Sequence, residues 1–220
     1  MQCIKDTIKN INIVIGCNIG CSYCYARMNN NRFHTIDDFN KPVFFENKLK
    51  MLDKKRHTAY LLTGQSDLSG WNEEWKDKVF SKMKENENTQ YIFLTKRPEN
   101  INLKETPDNG WFGVTVTSSK EKTRIDYLRN NIKAKHYHIT FEPMFDDVGK
   151  LDLNNISWIV IGTETGNRKG KISSKREWVF NIYNQAKEKN IPVFMKEDLL
   201  GILNEDEFVQ EFPKEFGGIK

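Results

Sequence analysis

Short apolar runs alternate along this chain with longer stretches in which apolar residues recur every three or four positions. Runs rich in β-branched and aromatic residues predict strands at residues 11–16, 58–63, 91–94, 111–116, 136–141, 158–162 and 193–195. Helical spacing of apolar residues predicts helices over residues 42–54, 73–85, 118–132 and 174–189, and residues 29–34 are predicted as a connection. A repeated strand and helix is the pattern of parallel βα units. The sequence therefore predicts an α/β protein, a partial (β/α) barrel of six to seven parallel strands.

Polar side chains stand where each predicted strand stops. In parallel α/β barrels the reactive groups collect at the carboxyl ends of the strands. The candidates are Cys17, Thr63, Lys96, Thr117, Ser118, Glu142, Glu164 and Lys196. Across this mouth the two lysines would face the two glutamates, which makes these four residues candidates for proton transfer or substrate anchoring. For a single residue an ordinary polar loop is an equal explanation, and Glu142 could simply pair with a lysine to close the barrel.

Three of the four cysteines lie within eight residues, as Cys17, Cys21 and Cys24 in the spacing C-x3-C-x2-C. A cubane iron–sulfur cluster normally takes four cysteine ligands, so three thiolates would leave one iron with an open position. A structural zinc site is the alternative, but it needs a fourth ligand, which would be Cys3 or a histidine, and no second ligand pair is present. A disulfide is a third alternative, and the reduced thiols of a cytosolic chain oppose it. The spacing favours a cluster.

Length and charge set broader limits. The chain has 220 residues and a net charge of +4, so we expect one domain with a core at about residues 11–198 and a short extension at 199–220. No apolar run approaches the roughly 20 residues that span a bilayer, and no secretory segment precedes the cysteines; we expect a cytoplasmic protein without membrane contact. The mild basic charge is compatible with nucleic acid or another anionic partner, and the basic loop at residues 166–171 is either an anion-binding loop or a solvated turn.

The cysteine motif, with the aromatic Tyr23 before its last cysteine, resembles that of the radical S-adenosylmethionine (SAM) superfamily. Further blocks at residues 93–98, 111–115, 141–144 and 161–166 resemble the short radical SAM proteins of phages and mobile elements, of the mobile pair type. The resemblance implies Cys17, Cys21 and Cys24 as ligands of a [4Fe–4S] cluster whose open iron binds SAM, and Tyr23 as a neighbour of the adenine. It also implies a radical SAM fold and the reductive cleavage of SAM to a 5'-deoxyadenosyl radical that abstracts a substrate hydrogen.

One segment departs from the superfamily pattern. Many members bind the amino group of SAM with Gly-Gly-Glu after the second strand, and the segment here reads Thr63-Gly64-Gln65-Ser66-Asp67. We expect its backbone carbonyls and its polar side chains, in Thr63, Gln65 and Ser66, to serve instead, with Gly64 among them. The ribose is expected near Thr117 and Ser118.

The resemblance also implies partners: a reductant such as flavodoxin or ferredoxin, and a second radical SAM protein encoded beside this one. Two other functions stay open at this point. One is a glycyl-radical-enzyme activase, which shares the cysteine spacing but normally carries Gly-Gly-Glu. The other is a zinc or iron–sulfur module that binds nucleic acid without catalysis.

Overall fold

The architecture is an α/β half-barrel, as the computed structural model, which describes residues 2–53 and 59–217, shows. The strands in these residues are β1 (Ile8–Asn10), β2 (Val14–Ile15), β3 (Val43–Phe44), β4 (Ala59–Leu61), β5 (Gln90–Thr95), β6 (Gly110–Thr115), β7 (His136–Phe141), β8 (Ile156–Ile161) and β9 (Val193–Met195). β1 and β4 to β9 form one curled sheet of seven parallel strands in chain order, whereas β2 and β3 pair antiparallel outside it. The predicted α/β class and the count of seven parallel strands are confirmed.

The α-helices in the described residues are α1 (Ile4–Thr7), α2 (Tyr25–Phe33), α3 (Glu73–Lys84), α4 (Thr123–Asn131) and α5 (Arg176–Glu188). Three of these five, α3 to α5, cover the outer face of the sheet, whereas α1 packs against the inner core and α2 lies beside the cysteines. Asn72 caps the start of α3. Its side chain accepts a hydrogen bond from the backbone N–H of Trp75 and so satisfies one of the free donors at the helix start. None of these helices combines the length and the apolar character needed to cross a bilayer.

Successive strand residues point to opposite faces, and this alternation separates two apolar cores. Phe93 and Val114 face outward and pack beneath the helices in the larger core. Their neighbours Ile92 and Trp111 face inward and join a smaller core inside the half-barrel, together with Trp158 of β8. The curl of the sheet therefore has a filled interior at the amino-terminal ends of its strands.

The C-terminal segment, residues 208–217, fills this interior from below. Gln210 forms an antiparallel bridge with Phe194 of β9. Further along, the ring of Phe216 lies edge-on to Trp111 at 4.8 Å and to Trp158 at 5.2 Å between ring centroids, and the Phe216 side chain is fully buried. The amino-terminal end of the half-barrel is thus closed by aromatic packing, and the carboxyl end is left for polar groups.

Two glycines make room for side chains of β7 and of the residue after it: Gly113 lies on β6, and Gly162 directly follows β8. A Cβ at Gly113 would lie 2.3 Å from His138 Nε2, and one at Gly162 would lie 3.2 Å from Glu142 Cγ. The imidazole of His138 crosses over Gly113 and reaches the carbonyl oxygen of Phe93 at 3.0 Å. Burial lowers the pKa of His138 to about 4, so the neutral ring donates through Nε2.

Two predicted elements were placed wrongly. The first strand of the sheet is β1 and not residues 11–16, because the chain leaves the sheet after Asn10 and Val14–Ile15 pairs with β3 instead. The helix predicted over residues 42–54 is β3 followed by a 3₁₀ helix, Glu46–Met51. Phe44 stacks on Trp75 at 5.7 Å, so tertiary packing uses the apolar residues that suggested a helix. Lys54, the last residue of this predicted helix, and Thr58, the first residue of the strand predicted at residues 58–63, lie outside the described residues.

A helix replaces the connection predicted at residues 29–34. α2 begins directly after Cys24, whose sulfur accepts a hydrogen bond from the backbone N–H of Arg27, and it ends at His34 in the left-handed conformation. Asn30 stabilises this end because its side chain bonds both the N–H and the carbonyl of Ile36. α2 therefore holds the last cysteine at its amino terminus.

Candidate functional site

The loop that carries the three cysteines, residues 16–24, is fastened to the carboxyl edge of the sheet. The N–H of Gly16 donates to the carbonyl of Gln65 at 3.0 Å, and Gly16 forms a parallel bridge with Ser66, just beyond β4. On its other side the N–H of Cys17 donates to the carbonyl of Phe39 at 2.7 Å. Gly16 has a φ of 114°, and a Cβ there would lie 2.9 Å from Pro42 Cα, so this position requires glycine.

The three thiols are free and partly exposed. Arg27 ties the two ends of the loop together, since its guanidinium donates to the carbonyl of Cys17 at 2.7 Å while its backbone N–H lies 3.4 Å from the sulfur of Cys24. Burial raises the pKa of Cys17 to about 11, and the nearby Cys21 and Cys24 add to this effect. A thiol with this pKa stays protonated at neutral pH unless a metal replaces the proton.

As the side chains lie, no group of three or more His, Cys, Asp or Glu residues in the described part of the chain forms a ready metal site. The donor chemistry nevertheless fits an iron–sulfur cluster. Three thiols on one short loop, none of them in a disulfide, are soft ligands of the type that such clusters take. Cys17, Cys21 and Cys24 would hold the group, after a rotation of side chains that are already partly exposed.

Tyr23 belongs to this loop, and its side chain lies near the end of β5. Its ring packs edge-on against Phe145, with 5.4 Å between centroids, and the ammonium of Lys96 lies 5.7 Å from the ring centroid. Burial and the adjacent Cys21 raise the pKa of Tyr23 above its usual value, so the phenol stays neutral. Lys96 thus contacts the aromatic ring rather than either predicted glutamate.

The segment that stands where Gly-Gly-Glu would be is already engaged in hydrogen bonds. The hydroxyl of Thr63 accepts from the N–H of Leu94 at 2.7 Å, and that of Ser66 accepts from the indole N–H of Trp71 at 3.0 Å. The carbonyl of Gly64 accepts from the hydroxyl of Tyr25 at 2.5 Å. Since the carbonyl of Gln65 holds the cysteine loop, this segment acts at least as a support for that loop.

The predicted ribose contacts lie after β6. The N–H and the hydroxyl of Thr117 both donate to the carboxylate of Glu121 at 2.7 Å, and Glu121 pairs with Arg124 at 2.8 Å. The side chain of Ser118, in contrast, makes no capping bond to the turn that follows it. Ser118 is therefore the better placed of the two to meet a ligand hydroxyl.

Glu142 and Lys196 form an ion pair inside the mouth of the half-barrel. The ammonium of Lys196 also lies 3.5 Å from Oδ2 of Asp198. The other oxygen of Asp198, Oδ1, accepts a hydrogen bond from the N–H of Thr163 at 3.1 Å. Burial lowers the pKa of Lys196, but the two nearby carboxylates raise it by more. The pKa of Lys196 therefore lies above its usual value. Burial raises the pKa of Asp198. This group of three can therefore hold a proton on the amine.

Glu164 is not part of that group. Its side chain is 2% exposed and is bound by Arg168 through two contacts, 2.5 Å from Nε and 2.8 Å from Nη2. The guanidinium also donates to the carbonyl of Gly170 at 3.0 Å. The basic loop at residues 166–171 thus uses its arginine to order itself around a buried carboxylate, and the predicted contact of Glu164 with a lysine is not found.

This pair predicts a pH-dependent stability. The hydrogen bonds from Arg168 lower the pKa of Glu164, so the pair stabilises the fold above the unfolded-state pKa, and the stabilisation is lost as the pH falls through the folded-state pKa. We expect Arg168→Gln to lower the thermal unfolding midpoint at pH 7, with the difference from wild type shrinking on acidification. Lys135→Gln, which removes an exposed pair with Asp108, is the control and should show no such trend. A difference that stays constant with pH would contradict this account.

Sequence reasoning left three contacts of the site unpredicted. Tyr25 bonds Gly64, Asp198 contacts Lys196, and the buried Asp67 accepts bonds from Thr95 and Lys96. An Asp two residues before a serine is a capping signal that would have indicated Asp67. Tyr25 and Gly64 are far apart in the sequence, whereas Asp198 lies two residues after Lys196 at the same strand end.

Comparison with known proteins gives a family and little chemistry. A family model described as a protein of unknown function, DUF5131, matches residues 2–217, and the chain belongs to this family. Lipase 1 of Staphylococcus aureus, from three strains, is similar at 35% identity over 98 residues, which are 44% of this chain and 14% of the lipase. No solved structure matches. The sequence contains no Gly-x-Ser-x-Gly, the segment that carries the nucleophile of α/β-hydrolases, and so gives a lipase activity no chemical support.

Proposed function

We propose that this protein is a radical SAM enzyme that binds one [4Fe–4S] cluster through Cys17, Cys21 and Cys24 and cleaves SAM reductively. The observation that carries the proposal is the position of the C-x3-C-x2-C motif. The motif lies on a loop anchored beside β4, at the carboxyl edge of a curled parallel sheet, where α/β barrels collect their reactive groups. Three thiols are one fewer than a closed cluster needs, which leaves a position for SAM.

In the superfamily that the motif resembles, the bound cluster and SAM supply a 5'-deoxyadenosyl radical that abstracts a hydrogen atom. The chain's own residues would bind and orient. Tyr23, held edge-on by Phe145, offers an aromatic surface to the adenine. Ser118 offers a hydroxyl to the ribose, and the backbone of residues 63–66 lies beside the cysteine loop for the methionine part.

Glu142 and Lys196 are the groups proposed to meet the substrate. The pair lies within the mouth of the half-barrel, where Lys196 keeps its proton against two carboxylates. Such a pair can anchor a polar group or pass on a proton after hydrogen abstraction. The net charge of +4 favours an anionic or macromolecular substrate, nucleic acid included. A reductant such as flavodoxin or ferredoxin and a paired radical SAM protein are the proposed partners.

Anaerobic reconstitution with iron and sulfide tests the proposal. We expect a brown protein with about four irons and four sulfides per chain, which forms 5'-deoxyadenosine from SAM when dithionite is added. Zinc-loaded protein prepared in parallel is the control and should leave SAM intact. A chain that takes up only zinc, or that binds a cluster but never cleaves SAM, would contradict the proposed function and favour a non-catalytic metal-binding module.

A further inference from the structure

Asp67 is a buried carboxylate surrounded by hydrogen-bond donors. One of its oxygens accepts from the N–H of Ser69 at 3.0 Å, from the hydroxyl of Ser69 at 2.7 Å and from the hydroxyl of Thr95 at 2.7 Å. The other oxygen accepts from the backbone N–H of Lys96 at 2.8 Å. The residue is 7% exposed. Two backbone N–H groups and two hydroxyls thus donate to the two oxygens of this carboxylate.

No cation neutralises this charge. Within residues 2–53 and 59–217, no side-chain nitrogen of a lysine, arginine or histidine lies within 4.0 Å of the Asp67 carboxylate, whose partners are the backbone N–H groups and hydroxyls named above. Lys96 contributes its backbone N–H to Asp67 and directs its ammonium to the ring of Tyr23. Burying a charge without a counter-ion is costly. A hydrogen-bonded link between two loops does not require a charged side chain. The arrangement therefore suggests a use for the charge itself.

The charge lies beside the cysteine loop. Asp67 directly follows Ser66, which forms a bridge with Gly16, and Gly16 precedes Cys17. The carboxylate of Asp67 and the thiol of Cys17 therefore belong to two backbone segments that are hydrogen-bonded to each other. Between the two groups the backbone bond from Gly16 to Gln65 fixes the spacing. The same loop thus supports the cysteines and places a negative charge next to them.

We propose that Asp67 is a positioning residue whose fixed negative charge lowers the reduction potential of the cluster held by the neighbouring cysteines. The inference rests on the proposed function. Reduction adds an electron to the cluster, and a nearby anion in a poorly solvated site disfavours the added charge. A cluster with a lower reduction potential is a stronger one-electron donor once it is reduced. Reductive cleavage of the sulfonium bond of SAM needs such a donor.

The test is the midpoint potential of the reconstituted protein, measured by redox titration with electron paramagnetic resonance of the reduced cluster. We expect Asp67→Asn to shift the potential to more positive values and to slow 5'-deoxyadenosine formation. Asp38→Asn is the matched control, because Asp38 loses the same charge from a solvent-exposed side chain near the same loop, and its potential should equal that of wild type.

Thr95→Val separates charge from structure. It removes the hydroxyl that donates to Asp67 while the carboxylate stays, so it should lower stability without a positive shift of the potential. Should Asp67→Asn fail to fold, Ser69→Lys sets an ammonium beside the carboxylate at a partly exposed position, and it should give the same positive shift.

The possible failures are distinct. An unchanged potential in Asp67→Asn or Ser69→Lys, in protein that carries a full cluster, overturns the role of Asp67 and leaves the proposed function standing. Equal positive shifts in Thr95→Val and Asp67→Asn would assign the effect to loop geometry and also overturn it. A wild-type chain that binds no cluster sinks the proposed function itself.

Discussion

Alanine at Cys17, Cys21 or Cys24 is expected to abolish both cluster binding and the cleavage of SAM. Each variant removes one of only three thiolates, and two cannot hold a cubane cluster. Iron content after anaerobic reconstitution should fall to near zero, and no 5'-deoxyadenosine should form with dithionite. The apo variants should unfold within about 1 kcal/mol of wild type, because the three side chains are partly exposed and Cys24, which caps α2, loses one hydrogen bond to its sulfur.

Cys3→Ala is the matched control for these variants. Cys3 lies at the start of α1, and its thiol donates to the carboxylate of Glu197 at 3.1 Å. It is not among the residues of the cysteine loop, so its loss should leave iron content and SAM cleavage nearly intact. Equal loss of iron in Cys3→Ala would mean that the ligand set has been assigned wrongly.

Lys196→Met is expected to lower the free energy of unfolding by about 3 kcal/mol at pH 7. It removes the one cation between Glu142 and Asp198 and leaves two carboxylates facing each other with little solvent. The figure lies at the low end for a broken buried pair, because 19% of the Lys196 side chain and 29% of that of Glu142 are exposed. Chemical denaturation of the apo protein measures the change.

The pH dependence of this variant identifies the cause. Burial raises the pKa of Asp198, and the variant loses the cation that opposes this rise, so it should gain stability relative to wild type as the pH falls from 7 toward 4. Lys196→Arg should retain most of the stability, and Lys120→Met, at an exposed lysine, should change little. A deficit in Lys196→Met that does not narrow on acidification would point to lost packing instead.

Most strands of the sheet could be predicted because they are short, largely buried runs of β-branched and aromatic residues, whereas β1, with the sequence Ile8-Lys9-Asn10, is no such run and was missed. The strands at His136–Phe141 and Val193–Met195 were predicted to the residue. Residues 42–54 were not, because the spacing of their apolar residues also suits a strand followed by a 3₁₀ turn. What decides between them is distant: the N–H of Phe45 donates to the carbonyl of Ile13, and the ammonium of Lys48 donates to that of Asn12.

α2 was missed for a related reason. Three consecutive asparagines have low helix propensity, so the sequence suggested a connection. Asn30 overrides this preference by bonding Ile36 twice beyond the helix end, a contact that composition cannot show. Local propensity fails here because one side chain supplies the bonds that end the helix.

The candidate site was also predicted only in part. Strand ends predicted that Glu142 and Lys196 would meet, and the structure joins them. They also suggested that Glu164 faces a lysine, whereas the following loop returns Arg168 to it first. Position at a strand end indicates which rim a residue occupies. It does not indicate which of several nearby charges it will pair with.

The aromatic closure by the C-terminal segment has a consequence for the order of synthesis. Phe216 covers Trp111 and Trp158, so a nascent chain that has emerged only as far as β9 carries a complete set of parallel strands with its tryptophans bare. Such surface binds chaperones or other chains while translation continues. Folding of this protein therefore requires Phe216, and an early stop between Met195 and Phe216 would leave Trp111 and Trp158 uncovered in an aggregation-prone intermediate rather than in a shorter stable domain.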